Sequence, residues 1–202
     1  MITIYNIYSR IAEVSMSHFT LLKSYEYNFE DELKRLIKSK TIKWRSSQIC
    51  ITTIPGKEHD YTFGNGSLDL DYDNEYKDED GHLIVPKREV PLKEKDFTVV
   101  CDQFKNTLFE QVYNELSNEY VLGRVRLIML EHKECFSWHK DYNDRLHIPI
   151  ITHDGCFMII EKQIEHLEAN KLYFTETTKY HTAINGSFRP RVHFVACIIE
   201  KN

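Results

Sequence analysis

The chain has 202 residues, of which 42% are apolar and 28% charged, and its formal net charge is −5. This length suffices for one packed domain without disulfides or a structural metal. The acidic balance argues against nucleic acid as the main partner, because proteins that bind a phosphate backbone usually carry a basic face. No segment approaches the roughly 18 consecutive apolar residues of a membrane span, so no membrane association is expected.

The cysteines and the first residues bear on cellular location. Five cysteines lack Cys-x-x-Cys spacing and mostly have apolar neighbours, which is typical of reduced core thiols and not of a disulfide framework or a zinc knuckle. The stretch MITIYNIYSRIAEV contains no basic region followed by a long apolar one, as a secretory leader would. We therefore expect a soluble cytoplasmic protein.

The first half of the chain predicts two helices with a strand between them. NFEDELKRLIKSK has Asn28 as a candidate N-cap, acids in the first turn, and Leu33, Leu36 and Ile37 on one face, which together indicate a short helix. QICITTIPG is typical of a strand that ends at Pro-Gly. Between Asp102 and Tyr120, apolar residues recur every four positions, which predicts a second helix across that range.

The stretch from Gly64 to about Pro91 has many turn residues and little apolar periodicity. Long irregular stretches of this kind are often lids or binding loops. Its acidic residues include Asp69, Asp71, Asp73, Asp78, Glu79 and Asp80. Two interpretations stay open: a solvated acidic loop, or a mobile substrate lid whose acids attract a basic substrate.

After Gly123 the sequence changes to short β-branched or aromatic runs with polar turns between them. The runs are RVRLIML, RLHIPIIT, CFMIIE, KLYFTET, HTAIN and RVHFVACIIE. Several strands at this spacing predict a sandwich, jelly roll or barrel.

Two histidines, two aspartates and an arginine crowd into SWHKDYNDRLHIP, residues 137–149. In an extended strand, residues i and i+2 face the same side, so His139 and Asp141 can reach one point. Local spacing does not single out this pair. Two other pairs have a similar form: His132 with Glu134, and His166 with Glu168.

A distant histidine and arginine favour the first pair. Two histidines and one carboxylate leave open positions on a metal, which is the arrangement of non-haem Fe(II) oxygenases. His181 lies 40 residues after Asp141 in another predicted strand, and Arg191 follows it by 10 residues at a strand start. A guanidinium in that position is suited to bidentate pairing with a carboxylate.

The segment from about Asp96 to Ile199 resembles the aspartyl/asparaginyl β-hydroxylase family of Fe(II)- and 2-oxoglutarate-dependent oxygenases, whose relatives include free-proline hydroxylases. The matching stretches are LGRVRLIML, SWHKD, RLHIPIIT, GCFMII, YHTAINGS and RVHFVA. The resemblance implies a mainly β fold with flanking helices and a double-stranded β-helix core, the cupin-like jelly roll. We expect one domain, 1–202, in which 1–120 supplies helices and a substrate wall and 121–202 forms the core with the metal site.

The resemblance also implies the chemistry and its residues. Fe(II) would be held by the catalytic residues His139, Asp141 and His181, with 2-oxoglutarate and O2 as cosubstrates and a small molecule or peptide as substrate. Arg191 would pair with the distal carboxylate of 2-oxoglutarate. Arg145 and His147 share a strand face and would help to hold the cosubstrate or substrate carboxylate.

Two other functions remain open from the residues: a cupin-like metal-binding protein without turnover, and a Zn-dependent hydrolase. Arg191 favours the oxygenase over a purely structural metal site, which needs no carboxylate clamp.

Several nearby residues have plainer interpretations. His193 is expected to be a hydrogen-bonded core residue. Arg124 and Arg126 fit outer-face charges, although Arg126 could also reach a substrate carboxylate. Residues 185–187 are expected to form the turn before the last strand.

Overall fold

The computed structural model describes residues 17–44 and 46–202. The expectation drawn from MITIYNIYSRIAEV therefore lies outside the described residues. No helix in the described ranges is both long enough and apolar enough to cross a membrane. The described cysteines are all free thiols, and four of the five are buried.

Helices are short and strands dominate. The helices are α1 (Phe29–Lys38) and α2 (Leu108–Leu116). The strands are β1 (Phe19–Ser24), β2 (Gln48–Cys50), β3 (Thr52–Thr53), β4 (Tyr76–Lys77), β5 (Leu83–Ile84), β6 (Val99–Val100), β7 (Tyr120–Leu130), β8 (Glu134–Cys135), β9 (Arg145–Ile151), β10 (Cys156–Ile160), β11 (Gln163–Glu165), β12 (Lys171–Thr175), β13 (His181–Asn185) and β14 (Arg191–Lys201). Short 3-10 turns cover Tyr72–Asn74, Glu94–Asp96 and Asp102–Phe104.

Two antiparallel sheets form the body of the molecule. The larger has six strands in the order β1-β12-β9-β14-β7-β2, and the smaller has four in the order β11-β10-β13-β8. From β7 onward the chain passes back and forth between the two sheets: β7, β9, β12 and β14 belong to the larger sheet, and β8, the hairpin β10-β11, and β13 belong to the smaller. This is the mainly β, jelly-roll architecture that the sequence predicts.

Strand β14 explains why the centre of the larger sheet is buried on both faces. Successive side chains of a strand point to opposite faces. Val192, Phe194 and Ala196 belong to the main apolar core together with residues of α1 and α2. Their neighbours Arg191 and His193 line a cavity on the other face. The helices therefore cover one face of the sheet, and the functional side chains lie on the other.

Helix α1 follows its sequence signals closely. The side chain of Asn28 accepts a hydrogen bond from the Asp31 N–H at 3.0 Å, and Leu33 and Leu36 are buried. Ile37 is the exception to the predicted apolar face, because it is 39% exposed.

Helix α2 is shorter than the predicted range of 102–120. Asn106 has a positive φ of 58°, which interrupts the helix, and Thr107 caps the new start through a 3.4 Å hydrogen bond from Glu110 N–H. At the other end the chain enters β7 at Tyr120. The regular apolar spacing before Asn106 instead serves a 3-10 turn, in which Phe104 is fully buried.

Two strands of the amino-terminal part pair with strands of the β core. Strand β1 pairs with β12, and β2 pairs with β7, so they form the two edges of the six-stranded sheet. Residues 66–69 and 92–95, together with Gln48, contribute to the cavity wall. The first part of the chain therefore lines part of the cavity. Of the two edge strands, β2 lies within the predicted strand QICITTIPG, whereas β1 had no sequence signal.

Candidate active site

A cavity of about 910 Å³ is lined by residues of both the six-stranded and the four-stranded sheet. The larger sheet contributes Arg126, His147 and His193, and the smaller contributes Met158 and His181. The irregular segments 66–69 and 92–95 also line the cavity. A concave site with convergent polar groups is the usual form of a small-molecule site.

His139 and His181 are brought together by their own backbones. The N–H of each donates to the carbonyl of the other, at 3.1 and 2.8 Å, and the ring centroids lie 4.3 Å apart. His181 begins β13, whereas His139 lies on an irregular segment that makes only this isolated bridge. The prediction that His139 and Asp141 lie on a regular strand is therefore wrong. An isolated bridge between His139 and His181 brings this segment to the cavity instead.

Asp141 completes a cluster with the two histidines. Its N–H donates to the Thr177 carbonyl at 2.9 Å, and its Oδ2 lies 3.7 Å from His181 Nε2. One ligand atom from each of the three residues lies within 4.8 Å of the others. Among the described residues this is the one group of three metal-ligating side chains so close together.

Both histidines have the tautomer that a metal site requires. His139 Nδ1 lies 2.7 Å from the Ser137 carbonyl, and His181 Nδ1 lies 3.0 Å from the Lys179 carbonyl. A carbonyl only accepts hydrogen bonds, so in the neutral form of each ring the proton is on Nδ1 and the lone pair is on Nε2. Burial lowers the pKa of His181, which favours the neutral form that binds metals.

Asp141 is held as a carboxylate. Burial alone would raise its pKa, but the charge and hydrogen bond of Arg145 and the nearby histidines outweigh burial and lower it. Arg145 Nε donates to Asp141 Oδ2 at 3.0 Å. Two neutral imidazoles and one ionised carboxylate are the donor set of non-haem Fe(II) sites, so these residues fit Fe(II).

Arg191 is a buried cation without a carboxylate partner in residues 17–44 and 46–202. It is 3% exposed, and its NH2 group donates to His193 Nδ1 at 3.0 Å. Burial lowers its pKa to about 10, so the side chain stays charged at neutral pH. A buried charge is costly unless it is paired, which fits a carboxylate ligand such as the distal end of 2-oxoglutarate.

Arg145 and His147 line the same cavity but are engaged differently. Arg145 pairs with Asp141 and, through NH2, with Glu94 at 3.1 Å, so only its NH1 is left buried without a partner. His147 is 7% exposed, and its Nε2 is buried without a partner. Burial, with Arg191 next, lowers the pKa of His147 far below its usual value, so His147 is neutral. Because His147 Nδ1 lies 3.4 Å from His193 Nδ1, its Nε2 is the atom left for a ligand, whereas Arg145 is mostly committed to protein carboxylates.

Arg124 and Arg126 are not outer-face charges. Both are buried and line the cavity, because the alternation along β7 directs them to the same face as Ile128. Arg124 forms a two-pronged ion pair with Glu94, at 3.0 and 2.9 Å, and also donates to the carbonyls of Gly64 and Gly66. The outer-face interpretation fails because α1 and α2 cover the opposite face, so β7 has no solvent-facing side there.

Two site residues had no sequence signal. Glu94 lies between two lysines in PLKEKDF, a context typical of a solvated surface, yet it bridges Arg124 and Arg145. Gln48 begins β2 and hydrogen-bonds Arg126 NH1 at 2.7 Å. Glu94 and Gln48 lie at least 30 residues from the arginines that they contact, so only the fold brings these side chains together.

The rival histidine pairs stay apart from this cluster. His132 and Glu134 are exposed, and His166 uses Nδ1 to bond the Cys156 carbonyl at 2.9 Å. The prediction of buried hydrogen bonding for His193 holds, although its partner is Arg191.

The acidic stretch contributes little to the cavity. Of its acidic residues only Asp69 lines the cavity, while Asp71 pairs with Arg88 at 3.2 Å. The cavity border instead includes Lys93, Lys95 and Lys140. The expectation that these acids attract a basic substrate finds no support in this lining.

Comparison with known proteins supplies the family. The family described as Aspartyl/Asparaginyl beta-hydroxylase matches residues 75–200. Among solved structures, AviO1 from Streptomyces viridochromogenes Tue57 is 12% identical with a TM-score of 0.42 and 91% of each chain covered. An oxidoreductase of the 2OG-Fe(II) oxygenase family from Burkholderia pseudomallei is 10% identical with a TM-score of 0.37, over 87% of this chain and 92% of that one.

AerE from Microcystis aeruginosa is 13% identical with a TM-score of 0.34; the match covers 38% of this chain and only 36% of AerE. A search of curated proteins gave no match. The family match spans more than half of the chain and includes every residue of the metal-ligating cluster. The chain therefore belongs to the aspartyl/asparaginyl β-hydroxylase family of Fe(II)- and 2-oxoglutarate-dependent oxygenases.

Proposed function

We propose that this hydroxylase acts on a free amino acid, an amino-acid residue of a peptide or a related small carboxylate, and that His139, Asp141 and His181 hold its Fe(II). The convergence of these three side chains on one point, with both Nδ1 atoms tied to backbone carbonyls, carries the proposal. Family membership favours it over the metal-storage and Zn-hydrolase alternatives.

When bound, Fe(II), 2-oxoglutarate and O2 supply the oxidising chemistry that converts a substrate C–H to C–OH, with release of succinate and CO2. The chain's residues position the reactants. The Ser137 and Lys179 carbonyls fix the two imidazoles, and Arg145 fixes one oxygen of Asp141. Such second contacts orient ligands and strengthen metal binding.

Arg191 is proposed to bind the distal carboxylate of 2-oxoglutarate. Its NH2 is held by His193, so the guanidinium is oriented before the ligand arrives. His193 accepts this bond at Nδ1, which requires its proton to be on Nε2. Apolar residues of the same cavity, among them Ile128, Met158 and Val195, help to exclude water from the reactants.

Succinate formation tests the proposal. Metal-free protein is supplied with Fe(II), 2-oxoglutarate and O2 and screened against free amino acids and blocked peptides. We expect succinate in stoichiometric proportion to a hydroxylated product, and none from His181→Ala. Hydrolysis supported by Zn(II) without consumption of 2-oxoglutarate would contradict the proposal.

A further inference from the structure

Arg126 is a second buried cation of the cavity that neither the metal cluster nor the cosubstrate clamp uses. It is 7% exposed, and its Nε is buried without a hydrogen-bond partner. Within the part of the chain that the structure describes, no carboxylate lies within ion-pair distance of it. A buried, unpaired guanidinium is costly to a folded protein, so its presence at a cavity wall points to a ligand.

The two arginines nearest Arg126 on this side of the cavity, Arg124 and Arg145, are already neutralised. Arg124 and Arg145 share Glu94, and Arg145 also pairs with Asp141. Burial, followed by Arg124, lowers the pKa of Arg126 to about 9, so it still carries its charge at neutral pH. The unbalanced positive charge on this side of the cavity therefore resides on Arg126.

Gln48 adds an oriented donor beside Arg126. Its Oε1 accepts from Arg126 NH1 at 2.7 Å and from the Gly66 N–H at 3.0 Å. Both partners are donors, so this atom must be the oxygen and the amide NH2 is the remaining group. Gln48 lines the same cavity, and its NH2 bonds no other described residue. An uncharged donor and a guanidinium side by side suit a carboxylate.

Strand register separates Arg126 from Arg191. Val195 of β14 lies opposite Arg126 of β7, and Arg191 lies four residues before Val195. At the rise of an antiparallel strand, this is about 13 Å between backbone positions along β14. The two cations therefore lie at different levels of the sheet.

We propose that Arg126 and the Gln48 amide form a second anion subsite, which binds a carboxylate of the molecule that is hydroxylated. The assignment rests on the proposed function for the identity of that molecule, but the subsite itself does not require turnover. The substrate class is an acidic or amino-acid-type carboxylate and not a basic peptide.

Binding of acetate to the metal-free protein tests the subsite directly. The Nε–H signal of Arg126 is followed by NMR, identified by its loss in Arg126→Lys, while excess 2-oxoglutarate is present and ionic strength is held constant. We expect a saturable shift with a dissociation constant in the millimolar range, which a ligand of four heavy atoms can reach. Acetamide, which has the same shape without the charge, is expected to give no such shift.

Two results of that titration would overturn the subsite. One is the absence of a saturable acetate shift. The other is a saturable shift of the same Nε–H signal caused by 2-oxoglutarate before acetate is added, which would assign Arg126 to the cosubstrate. Competition with N-acetylglycine and with N-acetyl-aspartyl amide distinguishes a main-chain carboxylate from a side-chain one; failure of both to compete would overturn the amino-acid-type substrate.

Kinetics with a substrate from the succinate screen supply a second test. Arg126→Met keeps the shape and removes the charge, so it should raise the KM for that substrate at least tenfold and change the KM for 2-oxoglutarate less than twofold. Arg189→Met, at an exposed position, removes the same charge and should change neither constant. Equal effects of the two variants would overturn the proposal.

Acetate binding without any succinate formation would instead contradict the proposed function and leave the subsite standing.

Discussion

Glu94 is the residue on which the charges around Asp141 depend. It accepts from Arg124 and Arg145 at the same time, and Arg145 in turn donates to Asp141. Burial would raise the pKa of Glu94, but Arg145, Arg124 and Arg126 outweigh it and lower the pKa. Glu94 therefore stays ionised and divides the charge of Arg145 between two carboxylates.

Glu94→Gln should weaken Fe(II) binding roughly ten- to hundredfold, the usual effect of losing an outer-shell partner. With Glu94 neutral, the charge of Arg145 acts on Asp141 alone and competes with the metal for its oxygens. Anaerobic competition with a chelator measures the affinity. Glu89→Gln, at an exposed position, is the matched control, and an equal affinity in the two variants would refute this role for Glu94.

Arg191→Lys should weaken 2-oxoglutarate binding although the charge is kept. A lysine cannot offer two parallel donors to one carboxylate, and the loss expected for such a charged hydrogen bond is about 1.5–3 kcal/mol, or roughly ten- to hundredfold. Calorimetry on the metal-loaded protein without O2 measures it. Equal affinity in wild type and variant would show that Arg191 does not hold the cosubstrate.

At the scale of elements, β7 and the 3-10 turn Glu94–Asp96 fit closely at Gly123. A Cβ added at Gly123 would lie 2.6 Å from the Glu94 carbonyl oxygen and 2.9 Å from its carbonyl carbon. Those are backbone atoms, so no side-chain rotation relieves the contact. The absence of a side chain at Gly123 thus allows the turn to bring Glu94 to the arginines.

Gly123→Ala should therefore destabilise the protein by about 1–3 kcal/mol, the usual cost of overpacking, and should also weaken Fe(II) binding by displacing Glu94. Urea denaturation gives the stability. Val121→Ala, an exposed change on the same strand, should cost much less. A Gly123→Ala protein with the stability of wild type would contradict the proposed fit.

Sequence patterns predict elements well where the signals are local. The cap at Asn28 and the strand starts at His181 and Arg191 follow from short-range patterns. The predicted turn at 185–187 begins one residue later, because Asn185 is the last residue of β13; its Nδ2 donates to the Arg189 carbonyl at 2.7 Å. The position of His139 depends instead on one bridge to His181, 42 residues away. The i, i+2 rule therefore selects His139 and Asp141, which do meet His181, although the two residues do not lie on a regular strand.

At the scale of the molecule, charge is segregated between surface and cavity. The chain carries a net charge of −5, yet its cavity holds four buried arginines. The exposed Asp73, Glu79 and Asp80 of the acidic stretch do not belong to this lining. Sequence alone could not assign this division, because burial of Arg124 and Arg126 follows from α1 and α2 covering the other face of the sheet.

Replacing Asp73, Asp78, Glu79 and Asp80 with their amides should alter the KM for 2-oxoglutarate and for the substrate less than about twofold. These side chains do not line the cavity, and exposed charges are screened by salt over about 10 Å at 0.1 M ionic strength. Steady-state kinetics at low and high salt measure the effect. A large rise in KM confined to low salt would favour the lid interpretation.

Fe(II) binding is the most direct test of the central claim that His139, Asp141 and His181 form the metal site. Anaerobic equilibrium dialysis of the full chain, followed by metal analysis, gives the stoichiometry without any knowledge of the substrate. We expect one tightly bound Fe(II) per wild-type chain, its loss in His181→Ala and Asp141→Ala, and full retention in His132→Ala and His166→Ala, with all variants folded by circular dichroism. Full retention of iron in His181→Ala, or its loss in His132→Ala, would show that the metal is held elsewhere.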